Sequence, residues 1–440
     1  MANTKLTKTF ASDSNRKTWT WSAWIKRSGL GGTQTLMTQV DGWNGNGNAG
    51  FYIIGDQLTS YNFTSSLNAG TDSYNRPSRY LRDVNGFYHI VVRLDTTQST
   101  ASNRCRWYVN GEQLTDFVYA NYPSLNQDCN FNGGDPHGIG SHTTGTGNYF
   151  DGIMSHVHFA DGQSLEPTVF GSTDSTTGEW TININPTFTL GTHGFTILKD
   201  GNTITDQSSN SNDWSLSGGT LTKTEDCPDN VFATLNGILQ TNEILSNGNT
   251  SANSASATWS YVATTIGVSS GKWYAEFLCS GAANTFMHGV TDLQYATRQG
   301  GYIGAATIAR GVGYLSINGS SYIDDTTSGY GASYVVGDII GCALDMDNNK
   351  VYFSKNGVWQ NSGDPTSGAT GTGALSLPTT GTYGFGTSNK DDSTTRANFG
   401  NGYFGTTAVS SAGTNASGNG IFEYDVPTGY TALSTKGLNL

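Results

Sequence analysis

The side chains of this 440-residue chain that could do chemistry are few and dispersed. Its glutamates are Glu112, Glu166, Glu179, Glu225, Glu243, Glu276 and Glu423. Hydrolysis of a glycoside with retention needs two carboxyl groups about 5–5.5 Å apart. On a strand, residues i and i+2 share a face, so Glu-x-Asp-x-x-Glu spacing supplies such a pair. No two glutamates here have that spacing, and Glu276 has Tyr274 and Leu278 as its same-face neighbours. The chain is therefore expected to be noncatalytic. His156 and His158 flank Val157 at a period of two, which suits two metal ligands. The sequence offers them no third ligand, so the expectation is a polar, solvated sheet face. The cysteines, Cys105, Cys129, Cys227, Cys279 and Cys342, form no Cys-x-x-Cys pair of the kind that holds zinc. Cys105, Cys279 and Cys342 lie in apolar runs and read as small core residues.

Oxygen ligands for a hard cation are better represented. Asp41 sits in the loop Asp41-Gly42-Trp43-Asn44-Gly45-Asn46, and Asp128 and Asp135 flank a second loop. Carboxylate and amide oxygens of this kind suit Ca2+. The same residue types also form ordinary turns. These residue types by themselves call for no cofactor. For binding, aromatic rings offer contact area at low entropic cost, and neighbouring amides and charges read polar groups. Trp43 with Asn44 fits that pattern, as do Tyr74 and Tyr80 beside Arg76 and Arg79. Tyr295, Arg298, Tyr302, Tyr322 and Tyr330 form a second set in loop-rich sequence. The competing reading for each ring is core or turn packing, or the cover of an oligomer interface.

Such residues need rigid elements to position them, and the composition points to strands. Glycine numbers 58 and proline 9, aromatics reach 12%, and charged residues make up 13%, about half the usual share. Gly, Ser, Thr and Asn with many aromatic anchors imply an all-β chain with tight turns. The formal net charge of −12 argues against nucleic-acid binding, and Arg76, Arg79 and Arg82 read as a solvated basic surface. The N-terminal Met-Ala-Asn-Thr-Lys-Leu has no apolar signal region, and no run approaches the ~18–20 apolar residues of a membrane helix. Trp19, Trp21, Ala23 and Ile25 alternate with polar residues as a half-buried strand, as do Tyr88, Ile90, Val92 and Leu94. Ile153, Ser155, Val157 and Phe159 are expected on one face of another strand. From Gly337 to Trp359 two apolar strands flank a turn at Asp345–Asn349, and a second turn follows at Asn356-Gly357. Val351 and Phe353 share one face there, with Tyr352 on the other.

That hairpin, with Ser270–Phe277, Gly300–Gly304 and Tyr383–Gly386 in order, resembles a SPRY domain, a β-sandwich that implies partner binding through its loops. Trp19–Lys26, Tyr88–Val91, Trp107–Gly111, Phe150–Ile153 and Gly162–Leu165 follow the order of a concanavalin-like or LamG jelly roll. That resemblance implies Ca2+ held by loop Asp and Asn oxygens, and it brings glucanases into consideration, from which the missing carboxylate pair departs. Chains of this overall plan are similar to virion and tail-fibre proteins of tailed bacteriophages. The ending Pro427–Leu433 resembles the closing motif of such chains.

The expected organisation is all-β with two β-sandwich domains: a LamG-like jelly roll over 1–215, a turn-rich connector over 216–255, a SPRY-like sandwich over 256–406 and a Gly/Ser-rich tail over 407–440. Phe422, Tyr424 and Tyr430 imply that the tail docks on the protein or on a neighbour. The resemblance implies a virion protein made in the host cytoplasm, a tail fibre, spike or capsid fibre holding a host-surface glycan or protein. Its partners would be other virion proteins and further copies of itself. Trimers are common among fibres, although no coiled-coil heptads require one here. The alternatives are a decoration protein that binds only virion subunits, and a carbohydrate-active enzyme.

Overall fold

Apolar residues at a period of two, interrupted by Gly, Asn and Asp turns, fold this chain into strands. The computed structural model describes residues 3–39, 49–62, 73–143, 147–240, 242–296 and 301–439. The strands fall into two compact units, residues 1–223 and 224–440. Helical structure among the described residues is limited to short 3-10 turns. The segment expected as a connector is built into both units. Ser215–Gly218 pairs with Lys5–Thr9 in the first, whereas Leu235–Gln240, Ile244–Ser246 and Ser251–Ser254 join sheets of the second.

The first unit has an eight-stranded and a six-stranded antiparallel sheet. The larger runs Phe117–Asn121, Ser73–Pro77, Gln57–Asn62, Ala49–Ile54, Thr33–Gln39, Pro136–Ile139, Lys5–Thr9, Ser215–Gly218. In the smaller, Thr18–Arg27 lies between Gly152–Asp161 and Tyr88–Asp95. Trp19, Trp21, Ala23 and Ile25 enter one core with Ile90, Val92, Leu94 and Trp107 of their own sheet and Leu36, Phe51, Ile53 and Leu58 of the other. The expected inward face is therefore the observed one. The strand is nevertheless buried on both faces, because Phe170 and Trp180 lie over its outer side. There His89 is stacked between Trp24 at 4.7 Å and Trp180 at 5.9 Å. Trp180 Nε1 donates to His89 Nδ1 at 3.0 Å, so the His89 proton sits on Nε2, 2.8 Å from Ser22 Oγ.

One expected face is wrong. His156 adopts φ +48° and the pairing of Gly152–Asp161 with Thr18–Arg27 shifts between Ser155 and His158. This bulge reverses the alternation. Met154 pairs with Ile25 and packs on the core, whereas Ser155 pairs with Trp24 on the outer side. His156 and His158 are buried rather than solvated.

The second unit also has two main sheets, of seven and nine strands. Trp273, Ala275 and Phe277 share its core with Val351 and Phe353, and Tyr352 packs on the opposite side of its strand. Cys342 pairs with Phe353, and positive φ at Asn349, Asn356 and Gly357 closes the two turns as expected. The tail docks on this unit. Thr431–Ala432 adds in parallel to Trp273 and Tyr274, and Phe422, Val426 and Tyr430 form an apolar cluster with Tyr274 and Tyr352. Buried Glu276 anchors the segment: its carboxylate accepts from Glu423 N and Tyr424 N, both at 2.8 Å.

Candidate functional site

Four neighbouring strands of the eight-stranded sheet carry a continuous row of rings on their outer face. Phe51 and Ile53 point into the core, so Tyr52 between them points out. Tyr61 pairs directly with Tyr74 across Gln57–Asn62 and Ser73–Pro77, and Arg76 shares the face of Tyr74 at i+2. Tyr119 on the edge strand pairs with Arg76. Ring centroids are 5.7 Å apart for Tyr52–Tyr61, 4.8 Å for Tyr61–Tyr74 and 5.3 Å for Tyr74–Tyr119. His142 extends the row beyond Tyr52 at 5.6 Å. Exposure rises from 6% at Tyr52 to 54% at Tyr119, with Tyr61 and Tyr74 half-buried between. Gly50 leaves room for the Tyr52 ring: a Cβ there would stand 2.8 Å from the ring and 2.9 Å from Thr38. Arg76 Nη2 is tied to Ile54 O at 3.1 Å.

Three strand spacings give this row a span of ~14 Å. Burial, and next the neighbouring Tyr74, push the Tyr61 phenol up to about 12, and burial pushes Tyr52 up further. Tyr52 and Tyr61 are thus neutral near pH 7 and able to donate and accept hydrogen bonds, and the ring faces of the row offer apolar contact. An extended ligand with apolar faces and polar edges matches this geometry.

The sequence-predicted residues divide clearly against this frame. Tyr74 and Arg76 belong to the row. Tyr80 is exposed and stacks on Arg82, whose guanidinium carbon lies 4.1 Å from the ring centre. The basic surface expected from Arg76, Arg79 and Arg82 is resolved into separate contacts, because Arg79 pairs with Glu112 at 2.7 Å and Arg82 with Asp56 at 3.2 Å. Asp128 pairs with Lys17 at 3.8 Å, and Asp135 accepts from Gln39 Nε2 at 3.1 Å. Asp41, Trp43, Asn44, Arg298 and Gly300 lie outside the described residues. Among the described residues no three His, Cys, Asp or Glu side chains gather closely enough to hold a metal ion.

In the second unit Tyr302 meets Trp259 at 6.3 Å and Tyr322 at 5.6 Å, and donates to Asp325 at 2.8 Å. Tyr295 lies under Arg310, 5.5 Å from ring centre to guanidinium, and Arg310 grips Asp324 with two nitrogens. Tyr330 does not join them. It is 7% exposed and packs edge-on against Tyr314 and Phe353, and its hydroxyl accepts from Phe353 N, so it presents no face to a ligand.

Three arrangements have the outline of catalytic groups. Cys279 Sγ lies 3.4 Å from His288 Nε2, but burial pushes the thiol well up and the imidazole down to about 3, so both are neutral. Burial pushes Glu243 up to about 8, within a general-acid range, yet it is enclosed with fully buried Ser260 and Asn389. The pentapeptide Gly267-Val268-Ser269-Ser270-Gly271 has the spacing of a nucleophile elbow, but Val268 is buried against Tyr383, Ser269 and Ser270 are exposed, and the segment leads into the strand Lys272–Gly281 rather than a helix.

Tyr52, Tyr61 and Tyr119 were missed from sequence. Alternation in Phe51–Ile53 could have turned Tyr52 outward. Nothing local marks Tyr119, which reaches the row only through strand order.

Residues 3–169 match the concanavalin A-like lectin/glucanases superfamily (Laminin_G_3), and residues 272–378 match the SPRY domain family. The chain thus carries a LamG-type β-sandwich followed by a SPRY β-sandwich. Among solved structures, the SPRY domain of human HERC1 is 16% identical, covering 37% of this chain and 96% of its own, with a TM-score of 0.29. A heptameric SAP-like pentraxin from Limulus polyphemus is 16% identical over 37% of this chain and 71% of its own, with a TM-score of 0.27. Stonustoxin is 16% identical over 38% of this chain and 27% of its own, with a TM-score of 0.28. No curated protein matches the chain.

Proposed function

We propose that this chain is a noncatalytic binding protein of a virion, in which the tyrosine row of the first unit holds an extended host-surface glycan. The observation that carries the reading is the uninterrupted contact of Tyr52, Tyr61, Tyr74 and Tyr119 across four strands, with Arg76 beside them. Rigid strands hold the rings in register, so binding costs little ordering entropy. Repeated copies on a particle would raise weak single-site affinity. The virion setting rests on the resemblance of the two-sandwich plan and of the closing Pro427–Leu433 segment to tailed-phage chains, and homo-oligomeric assembly is proposed with it. A glycan array tests the binding step. Tyr61→Ala and Tyr119→Ala should each weaken binding about tenfold, or about 1.4 kcal/mol. Unchanged binding in both removes the row from the site. Release of reducing sugar from host polysaccharide would overturn the noncatalytic reading. Immunogold label on host cell wall but never on particles would overturn the virion setting.

A second reading, a decoration protein binding only virion subunits, has its own observation. Ile317, Val335, Val336 and Val358 are exposed on the second unit. Bonds from Tyr334 N to Ser316 O and from Lys355 Nζ to Ser333 O gather their loops. Cross-linking that captures only virion subunits, with an empty glycan array, would favour it.

A further inference from the structure

A second candidate site lies on the outer face of the six-stranded sheet, remote in sequence from the tyrosine row. At the edge strand Phe195–Ile197 a cleft of ≈ 340 Å³ opens. That volume is at the lower end of the roughly 300–1,000 Å³ of small-molecule sites. Its floor is buried His158 and Thr196, which pair across the strands, with His158 Nδ1 2.9 Å from Thr196 Oγ1. One wall carries Asn185 and half-buried Phe188, whose ring stands edge-on to His158 at 5.9 Å. Lys199 and Gln207 also line the cleft. Asp206 fixes the loop that presents Gln207: it accepts from the backbone N–H of Thr196, Ser208 and Asn212, so its charge is spread over three donors.

The hydrogen-bond pattern selects the ligand. Asn185 Oδ1 already accepts from Lys199 Nζ at 2.6 Å, and Gln207 Oε1 from Lys199 N at 2.9 Å. Each amide oxygen is thus engaged by a donor of Lys199, while among the described residues the two NH2 groups and the remaining ammonium hydrogens make no hydrogen bond within the chain and are available to a ligand. Among the described residues Lys199 forms no ion pair. A donor-rich cleft with one unpaired cation and an aromatic wall calls for an acceptor-rich anion with an apolar ring face. We propose that this cleft binds a carboxylated sugar, with its carboxylate on Lys199 and the amide N–H groups of Asn185 and Gln207, and its ring against Phe188.

Calorimetric titration of the full chain with glucuronate, glucose and acetate tests this directly. Glucuronate should bind at least tenfold more tightly than either glucose or acetate. Lys199→Met removes the charge and keeps the stem, and Gln207→Glu keeps the acceptor and removes the donor. Each should weaken glucuronate binding tenfold or more with the melting temperature unchanged. The proposal is overturned if glucuronate does not bind, if glucose or acetate binds as tightly, or if both cleft variants bind glucuronate like the parent chain.

Discussion

Acidification should unfold the first unit before the second. Burial, the leading cause in each case, pushes His89, His137 and His158 down to about 3 from an ordinary 6.5. Between those values the unfolded chain takes up protons that the folded unit refuses, so stability is lost as pH falls below 6.5. At pH 5 the gap is about 1.5 units, or about 2 kcal/mol per histidine and about 6 kcal/mol for the three. That rivals the whole stability of a domain, about 5–15 kcal/mol. The second unit has one such group, His288, which costs it about 2 kcal/mol at pH 5. It also holds Glu243 and Glu276, which burial pushes up to about 8 and about 7 from 4.5. Their sign is opposite: the fold disfavours the charged form, so stability rises as pH falls from those values toward 4.5. From pH 7 to pH 5 they return about 2 kcal/mol each, which more than offsets His288. Scanning calorimetry of the intact chain at pH 7 and pH 5 should show one transition falling by more than about 10 °C while the other holds or rises. Tyr430→Ala identifies the second unit's transition. The reasoning fails if both transitions fall together, or if only the one lowered by Tyr430→Ala falls.

Three further outcomes are expected. Tyr430 is 1% exposed and donates to Pro365 O, so Tyr430→Ala should destabilise the second unit by about 3–5 kcal/mol in denaturant unfolding, and a loss below about 1 kcal/mol would detach the tail from the core. Asp56 accepts from fully buried Arg27 at 3.0 Å, from Gly31 N and from Arg82; Asp56→Ala strands the Arg27 charge and should cost the first unit about 3–5 kcal/mol, measured the same way. Cys105, Cys129, Cys279 and Cys342 are buried and Cys227 is half-buried, so a thiol reagent should modify Cys227 alone in the native chain, and rapid labelling of any other thiol would contradict the packing.

Much of the site chemistry depended on partners that no local pattern reveals. His158 read as solvated because its face of the strand looks open in sequence, whereas Phe170 and Phe188 from later loops pack over it; the bulge at His156 displaces only the residues before it. The outer face of Thr18–Arg27 read as open, whereas Phe170 and Trp180 return from more than 140 residues away to cover it. Tyr330 read as a loop residue, yet it packs into the core on Phe353.

What the sequence determined by itself is the set of local facts. Trp19, Trp21, Ala23 and Ile25 face inward because neighbouring side chains on a strand point to opposite sides. Asn356-Gly357 turns because both residues adopt positive φ. Two sandwiches follow from two such sets of strands. Tertiary structure alone decided which strands are neighbours. Only the long-range arrangement of the chain sets Tyr119 beside Tyr74, brings Asn185 and Gln207 to one cleft, and lays the segment around Glu423 and Tyr424 on Glu276. Those contacts join residues far apart in the chain, and long-range pairing is chosen by the total burial of the finished fold rather than by any short stretch of it.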